Sequence, residues 1–347
     1  MPTTSRRISP AAITVESPSR LHLGFIDPNG SLGRAFGSAG LAIDAHGTRL
    51  TARQAPASRQ TPIIEGTIND GQRERIEQHL AQLEAAMGHG PTVDIEVHET
   101  PRAHTGLGSG TQLALALGTA FARVRGHATT TTADIARILG RGARSGIGIH
   151  GFDHGGLIVD GGRDVRNASA TSLPPLIARQ PFPEAWRVLL IDDTSREGLH
   201  GDEEKRGLAS LAPFPATLAA HLAHLVLMRI LPAVAESDFD TYADALCDLQ
   251  QTIGEYFAPV QGGVFASPAV ARALEAVAAE VKAGIGQTSW GPVGFAFVAS
   301  AQDAGRALAA AQRVSQGVPL TFTVAAGRNR GATWRAADHR HHGANAA

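Results

Sequence analysis

His104-Thr105-Gly106-Leu107-Gly108-Ser109-Gly110-Thr111 runs directly into an alanine- and leucine-rich segment, Gln112–Val124. The glycine- and hydroxyl-rich stretch reads as a loop, and the segment after it as a helix. A helix start presents backbone N–H groups without intrahelical acceptors, together with the positive end of the dipole, and therefore favours anions. Glycines at 106, 108 and 110 let the main chain fold closely around such an anion, while Thr105, Ser109 and Thr111 add hydroxyl donors. A simple loop with a Ser/Thr cap would share these features, so the rest of the chain has to decide between the two.

Outward from this loop, Gln72–Met87 carries apolar residues at helical spacing (Ile76, Leu80, Leu83, Met87), and Thr92–His98 alternates as a strand. Ile13–Val15 and Arg20–Phe25 are also strand-like. A second helix is expected from about Ala133 to Ala143, and a short strand over Gly155–Asp160. Residues 163–184, rich in Ser, Pro and Ala, mark a boundary between two domains, 12–180 and 185–335. Beyond it come a strand at Arg187–Ile191, a charged loop at Asp192–Arg206, and helices over Thr217–Ala235 and Phe239–Tyr256. A helix opened by Ser267-Pro268 and ending near Gly284 follows, then a strand over Thr288–Ser300, a helix over Asp303–Val314 and a strand over Leu320–Ala325. Strands and helices alternate without a regular βαβ rhythm, which predicts an α+β fold. Residues 1–11 and 336–347 read as disordered tails, the latter holding His339, His341 and His342.

Hydrophobic residues at 43% and charged residues at 18% fit a globular protein, and a net charge of −1 gives no basic field for nucleic acid. The lone cysteine, Cys247, excludes an internal disulfide. No apolar run reads as a membrane span and the N-terminus lacks a secretory pattern, so a cytoplasmic protein is expected.

Three segments together resemble the GHMP small-molecule kinases. Ser17-Pro18-Ser19-Arg20-Leu21-His22-Leu23-Gly24 is similar to their N-terminal motif, Thr105–Thr111 to their phosphate loop, and Gly286-Gln287-Thr288-Ser289-Trp290-Gly291-Pro292 to their C-terminal glycine-rich motif. The resemblance implies a two-domain fold, an N-terminal half like domain 2 of ribosomal protein S5 and a ferredoxin-like C-terminal half, with the active site in the cleft between them. Two departures bear on chemistry. Where mevalonate-kinase-like members place a catalytic Asp, this chain has Gly148 in Ser145-Gly146-Ile147-Gly148, and Trp290-Gly291-Pro292 replaces a flexible glycine loop.

Within the superfamily, 19–27, Gly146–Asp153 and 286–292 resemble the β-ribofuranosylaminobenzene 5′-phosphate synthases. That resemblance implies transfer of ribose 5-phosphate from phosphoribosyl pyrophosphate (PRPP) to 4-aminobenzoate or 4-hydroxybenzoate. Carbon dioxide and pyrophosphate leave, and the product serves tetrahydromethanopterin biosynthesis. It further implies Mg²⁺ carried with PRPP, no organic cofactor and a homodimer. An ATP-dependent GHMP kinase is the alternative.

For such a reaction the residues sort as follows. Thr105, Gly106, Leu107, Gly108, Ser109, Gly110, Thr111 and Arg196 are candidates for PRPP, with His200 beside Arg196. Arg20 is a candidate grip for carboxylate or phosphate, and His22 lies two residues on, on the same strand face. Asp27, His150 and Asp153 are further catalytic candidates, and Ser19, Gln287, Ser289 and Trp290 candidates for the benzoate. Asp192-Asp193 at a strand end could hold ribose hydroxyls, although a chance match is the simpler reading. No set of metal ligands can be assigned.

Overall fold

The structure is a computed structural model describing residues 11–166, 172–199 and 201–336. His200, the three C-terminal histidines and all but Ala11 and Ala336 of the two tails lie outside the described residues. The α+β class expected from the sequence is observed.

The first sheet is built on two long strands, β1 (Ala12–Asp27) and β2 (Arg34–Gln54), antiparallel from Ala12↔Arg53 to Asp27↔Phe36. β1 is buried on both faces, by the helix after the glycine loop on one side and helices of the second half on the other. This explains why its apolar residues do not alternate cleanly. Register shifts after Ser17 and after His22 bend the strand on either side of Arg20 and His22. β3 (Ile64–Gly66), α1 (Asp70–Met87) and β4 (Val93–Glu99) follow, with β3 parallel and β2 antiparallel to β4. α1 starts at a capping box in which Asn69 and Gln72 satisfy each other's backbone N–H groups.

α2 (Ser109–Val124) is almost entirely buried apart from its first turn, and packs its Ala and Leu residues against β1 and β2. α3 (Thr132–Ile138) is shorter than expected. The segment Gly146–Asp153 falls largely on a helix, α4 (Ile147–His154). β5 (Leu157–Asp160), β6 (Arg163–Asp164) and β7 (Leu176–Gln180) complete this part, β5 pairing with both β2 and β7.

The second sheet has four strands, in the order β11 (Leu320–Ala325), β8 (Arg187–Asp193), β10 (Val293–Val298), β9 (Gly284–Gln287), and is antiparallel throughout. β8 is one of its two inner strands, and α5 (Gly201–Ser210) occupies part of the expected charged loop. α6 (Ala216–Leu225) continues through a π-helical turn, Val226–Ile230, into α7 (Leu231–Glu236), whose second residue, Pro232, has no N–H to donate. Contrary to the sequence expectation, this 21-residue helix is long and apolar enough to cross a membrane. One of its faces (Leu222, Leu225, Val226, Ile230, Ala233, Val234) joins the main core, while Leu227 and Met228 are exposed. α8 (Phe239–Gln261) crosses between the sheets, and α9 (Pro268–Glu280) starts at Ser267 as expected.

The expected strand over 288–300 is instead a hairpin, β9 (Gly284–Gln287) and β10 (Val293–Val298), around a turn at 288–292. Pro292 lacks the N–H a continuing strand would need, and Thr288 closes the turn by donating to Val293. α10 (Ala301–Val314) and β11 (Leu320–Ala325) close the second sheet, and α9 and α10 cover one face of it. The chain then returns, and β12 (Thr333–Ala336) pairs with β1 at the edge of the first sheet.

Candidate active site

The loop of residues 104–108 is pinned from three directions. The Leu107 carbonyl accepts from the Arg20 N–H at 3.1 Å, the Gly106 carbonyl from the Thr288 hydroxyl at 2.7 Å, and the His104 carbonyl from the Gly198 N–H at 2.9 Å. The Arg20 guanidinium also donates to the Gly106 carbonyl. Gly106 lies at φ +82°, and a Cβ there would collide with the Thr288 carbonyl, so only glycine lets the loop dock on the 288–292 turn. The loop is therefore held by β1 at Leu107, by the second sheet's hairpin turn at Gly106 and by the segment after β8 at His104.

α2 then begins without a side-chain cap, its N-cap position being Gly108 in the left-handed conformation. The first N–H groups of the helix, at Ser109 and Gly110, have no intrahelical acceptor. They open onto a cavity of about 450 Å³ lined by Arg20, Arg75, His104, Gly106, Gly108, Ser109, Gly110, Thr111, Arg141, Gly198, Leu199, Glu204, Ser289, Trp290 and Gly291. Three arginines face this space, and its one carboxylate, Glu204, is paired with Arg144. Burial lowers Arg20 to about 10, which leaves it charged at neutral pH. An uncapped helix start among unneutralised guanidiniums gives the cavity a positive field, which favours anions.

A smaller recess shares the Ser289 and Trp290 walls with this cavity. It is lined by His22, Gly24, Phe25, Gln250, Ile253, Gly254, Phe257, Gln261, Val264 and Gln287. Trp290 packs on Phe257 at 4.5 Å between ring centres, and His22 meets Phe25 edge-on at 4.6 Å. The His22 Nε2 is buried with no partner. Burial, with Arg20 adding to the effect, pushes this imidazole down to about 3, so it is neutral in the working range. Gln287 takes the Ala266 N–H at 2.7 Å and donates to Gln261 and to the Ser289 carbonyl, which stiffens the recess wall. Ser289 has φ +54° and receives Arg20 at 3.4 Å, linking the two spaces.

Of the residues expected at the site, Arg20, His22, Gly106, Gly108, Ser109, Gly110, Thr111, Gln287, Ser289 and Trp290 come together here. The others do not. Ser19 is fully buried and donates to the His46 carbonyl, and the Thr105 hydroxyl is committed to the Arg102 carbonyl. The Leu107 side chain belongs to the core. Asp27 lies seven residues beyond Arg20 on β1, and its carboxylate accepts from the N–H groups of Asn29, Gly30 and Ser31 and from the Ser31 hydroxyl, closing the turn.

His150 bonds the Pro174 carbonyl at 2.9 Å, and Asp153 is an exposed acceptor for Thr132 in a different depression, near Trp334. Arg196 is exposed and donates to Ala266. The Asp192 carboxylate is taken by Arg102 at 2.6 Å, and Asp193 is held by Ser195 and Ser267. Neither is left open to a ribose. Arg75, Arg141 and Glu204 had no local motif to single them out, because α1, the segment after α3, and α5 meet only in the folded chain. Among the described residues no cluster of three or more His, Cys, Asp and Glu could hold a metal.

Gly148 packs against the start of α2. Its carbonyl accepts from Gln112 at 2.8 Å, and a Cβ there would stand 2.9 Å from the Thr111 side chain.

The GHMP kinases N terminal domain family matches residues 74–156, and the GHMP kinases C terminal family matches 230–316. Two solved structures share the fold. A homoserine kinase from Cytophaga hutchinsonii has a TM-score of 0.67 at 14% identity, over 96% of this chain and 100% of its own. A mevalonate diphosphate decarboxylase from Staphylococcus aureus has a TM-score of 0.66 at 11% identity, over 94% and 98%. Fold and domain matches thus place the chain in the GHMP class, with an arginine-lined cavity at the glycine loop. Within that class, beta-ribofuranosylphenol 5'-phosphate synthase of Archaeoglobus fulgidus is 40% identical over 69% of this chain and 75% of its own length. The enzyme of the same name from Methanothermobacter thermautotrophicus is 31% identical over 92% and 98%. The chain belongs to this family of synthases.

Proposed function

We propose that the enzyme transfers ribose 5-phosphate from PRPP to 4-hydroxybenzoate or 4-aminobenzoate, releasing CO₂ and pyrophosphate, as a step towards tetrahydromethanopterin. The observation that carries this reading is the uncapped start of α2 facing a cavity with three arginines and, among the described residues, no free carboxylate. PRPP brings two anionic ends to such a space. The relatives' name, a ribosylated phenol phosphate, favours the hydroxybenzoate.

In the proposed reaction the C1′–O bond to pyrophosphate breaks and the leaving group keeps the electron pair. The backbone N–H groups of Ser109 and Gly110 and the Arg20 guanidinium stabilise that charge, and such preorganised donors are commonly the largest catalytic contribution. The ring carbon bearing the carboxylate bonds to C1′. Its carboxylate leaves as CO₂, returning the C–C electrons to the ring, so no base is needed at the attacked carbon. The recess behind Ser289 is the acceptor's place. Trp290 and Phe257 offer ring faces, and neutral His22 offers an unpartnered nitrogen to the 4-substituent. The recess encloses about 30 Å³ as it stands, so its walls part when a ring enters.

Since the lining contributes only the already paired Glu204, Mg²⁺ enters this scheme as part of the substrate, bound to the diphosphate. The reading includes a homodimer working in the cytoplasm.

Carboxyl-labelled 4-hydroxybenzoate and PRPP provide the test: labelled CO₂ and pyrophosphate appear in equal amounts. ADP formation from ATP and a small alcohol, without pyrophosphate release from PRPP, would establish the kinase alternative instead.

A further inference from the structure

We propose that Arg75 and Arg141 form a second anion subsite, distinct from the glycine loop, that holds the 5′-phosphate of the ribosyl donor. The proposal rests on the PRPP reading above and divides the cavity between the donor's two charged ends.

Arg75, on α1, reaches across to the loop, where a Cβ on Gly110 would lie 3.5 Å from its Nη1. Arg141 follows α3 and lines the same cavity. Its orientation is set by His79, whose Nδ1 pairs with Gln82 Oε1 at 3.1 Å, which leaves Nε2 to accept from Arg141 at 2.9 Å. This arrangement requires a neutral His79, in keeping with the downward shift that burial imposes on it. The contact orients the guanidinium without neutralising it. The Nε of Arg141 is buried and has no partner. Arg75 and Arg141 repel one another, and among the described residues no carboxylate forms an ion pair with either. Two cations held together beside open space are stabilised by a bound dianion, which a guanidinium pair can grip through several N–H groups at once.

Geometry assigns the ends. C1′ carries the diphosphate and must face the aromatic recess, which joins the cavity at Ser289 and Trp290, where Arg20 lies. The diphosphate therefore occupies the Arg20–Gly108 side. The 5′-phosphate, on the opposite edge of the ribose, extends past the glycine loop towards Arg75 and Arg141.

Calorimetry on the full chain, with inorganic pyrophosphate and ribose 5-phosphate as separate probes at fixed ionic strength, tests this. In Arg75→Gln and in Arg141→Gln, ribose 5-phosphate is expected to bind about tenfold more weakly or worse, as for a lost hydrogen bond to a charged group, with pyrophosphate changed by less than about twofold. Arg20→Gln should show the reverse preference. Arg75 makes no structural ion pair, so its variant keeps the measurement valid if Arg141→Gln melts early. Equal losses for both probes, or unchanged ribose 5-phosphate binding in Arg75→Gln, would overturn the divided site while leaving the PRPP reading intact. A wild-type protein that binds neither probe nor PRPP would overturn both.

Discussion

The side chain of Gln112 donates to the carbonyl of Gly148 at 2.8 Å, tying the first turn of α2 to the start of α4. Thr111 fills the neighbouring space: a Cβ at 148 would stand 2.9 Å from its side chain, so the backbone there is packed tightly against the start of α2.

Gly148→Asp should not create a kinase. The new side chain meets Thr111, and overpacking of this kind costs about 1–3 kcal/mol. Thermal melting should show a lowered midpoint, and a coupled ADP assay with ATP and small alcohols should stay at background. Phosphorylation at a measurable rate would contradict the packing argument.

Gly108→Val should impair the donor side selectively. Gly108 lies at φ +80°, a conformation that disfavours a β-branched residue, and a Cβ there would come within 3.0 Å of Arg20. PRPP affinity should fall by about tenfold or more, given a backbone cost of about 1–3 kcal/mol for such a position. Titration of PRPP by calorimetry reads this directly.

Arg20→Lys should fail to rescue Arg20→Ala. The arginine serves the Gly106 carbonyl and Ser289 through a planar fork and borders both spaces, whereas lysine offers a point charge without that fork. Steady-state kinetics should show kcat/KM reduced by about a hundredfold in both, the scale for removing one preorganised donor at a developing charge. A lysine variant near wild type would reduce Arg20 to a general cation.

His22 carries a pH signature. The unfolded imidazole titrates near 6.5, whereas the folded one resists protonation until about 3. Between these values the unfolded chain binds the extra proton, so stability falls as pH drops through 6.5, by at most about 1.4 kcal/mol per pH unit from this group. Melting between pH 7 and pH 5 should therefore be less pH-sensitive in His22→Gln than in wild type. Identical slopes would mean that the buried site is hydrated.

Trp290→Ala should open the wall between recess and cavity. The expected signature is a raised KM for the benzoate with PRPP affinity preserved, since Trp290 gives the recess an aromatic face against Phe257. A loss confined to PRPP would move the acceptor elsewhere.

Local signals were readable in the chain because local physics produces them. The glycine loop running into a buried apolar helix, the alternation that puts Arg20 and His22 on one strand face, and the Ser267-Pro268 helix start all depend on capping and periodicity over a few residues. β2 was not legible. Its glycines and alanines carry no strand pattern, and only pairing with β1, β4 and β5 makes it a strand. The 288–292 turn was read as strand because its apolar and hydroxyl residues fit both, and Pro292 decided against it.

The sequence alone determined that this protein has a glycine-rich loop opening an uncapped apolar helix, an arginine and a histidine on one face of the first strand, and glycine at 148. Each is a matter of residue type at a short spacing. Only the tertiary structure decided which polar groups were already spent. Asp27 on its own turn, Ser19 on His46, His150 on Pro174 and Asp192 on Arg102 all left the candidate site. It also gathered Arg75 and Arg141, 66 positions apart in the numbering, around one cavity. The reason is physical: a side chain's type sets which partners it accepts, but long-range packing sets which partner it meets.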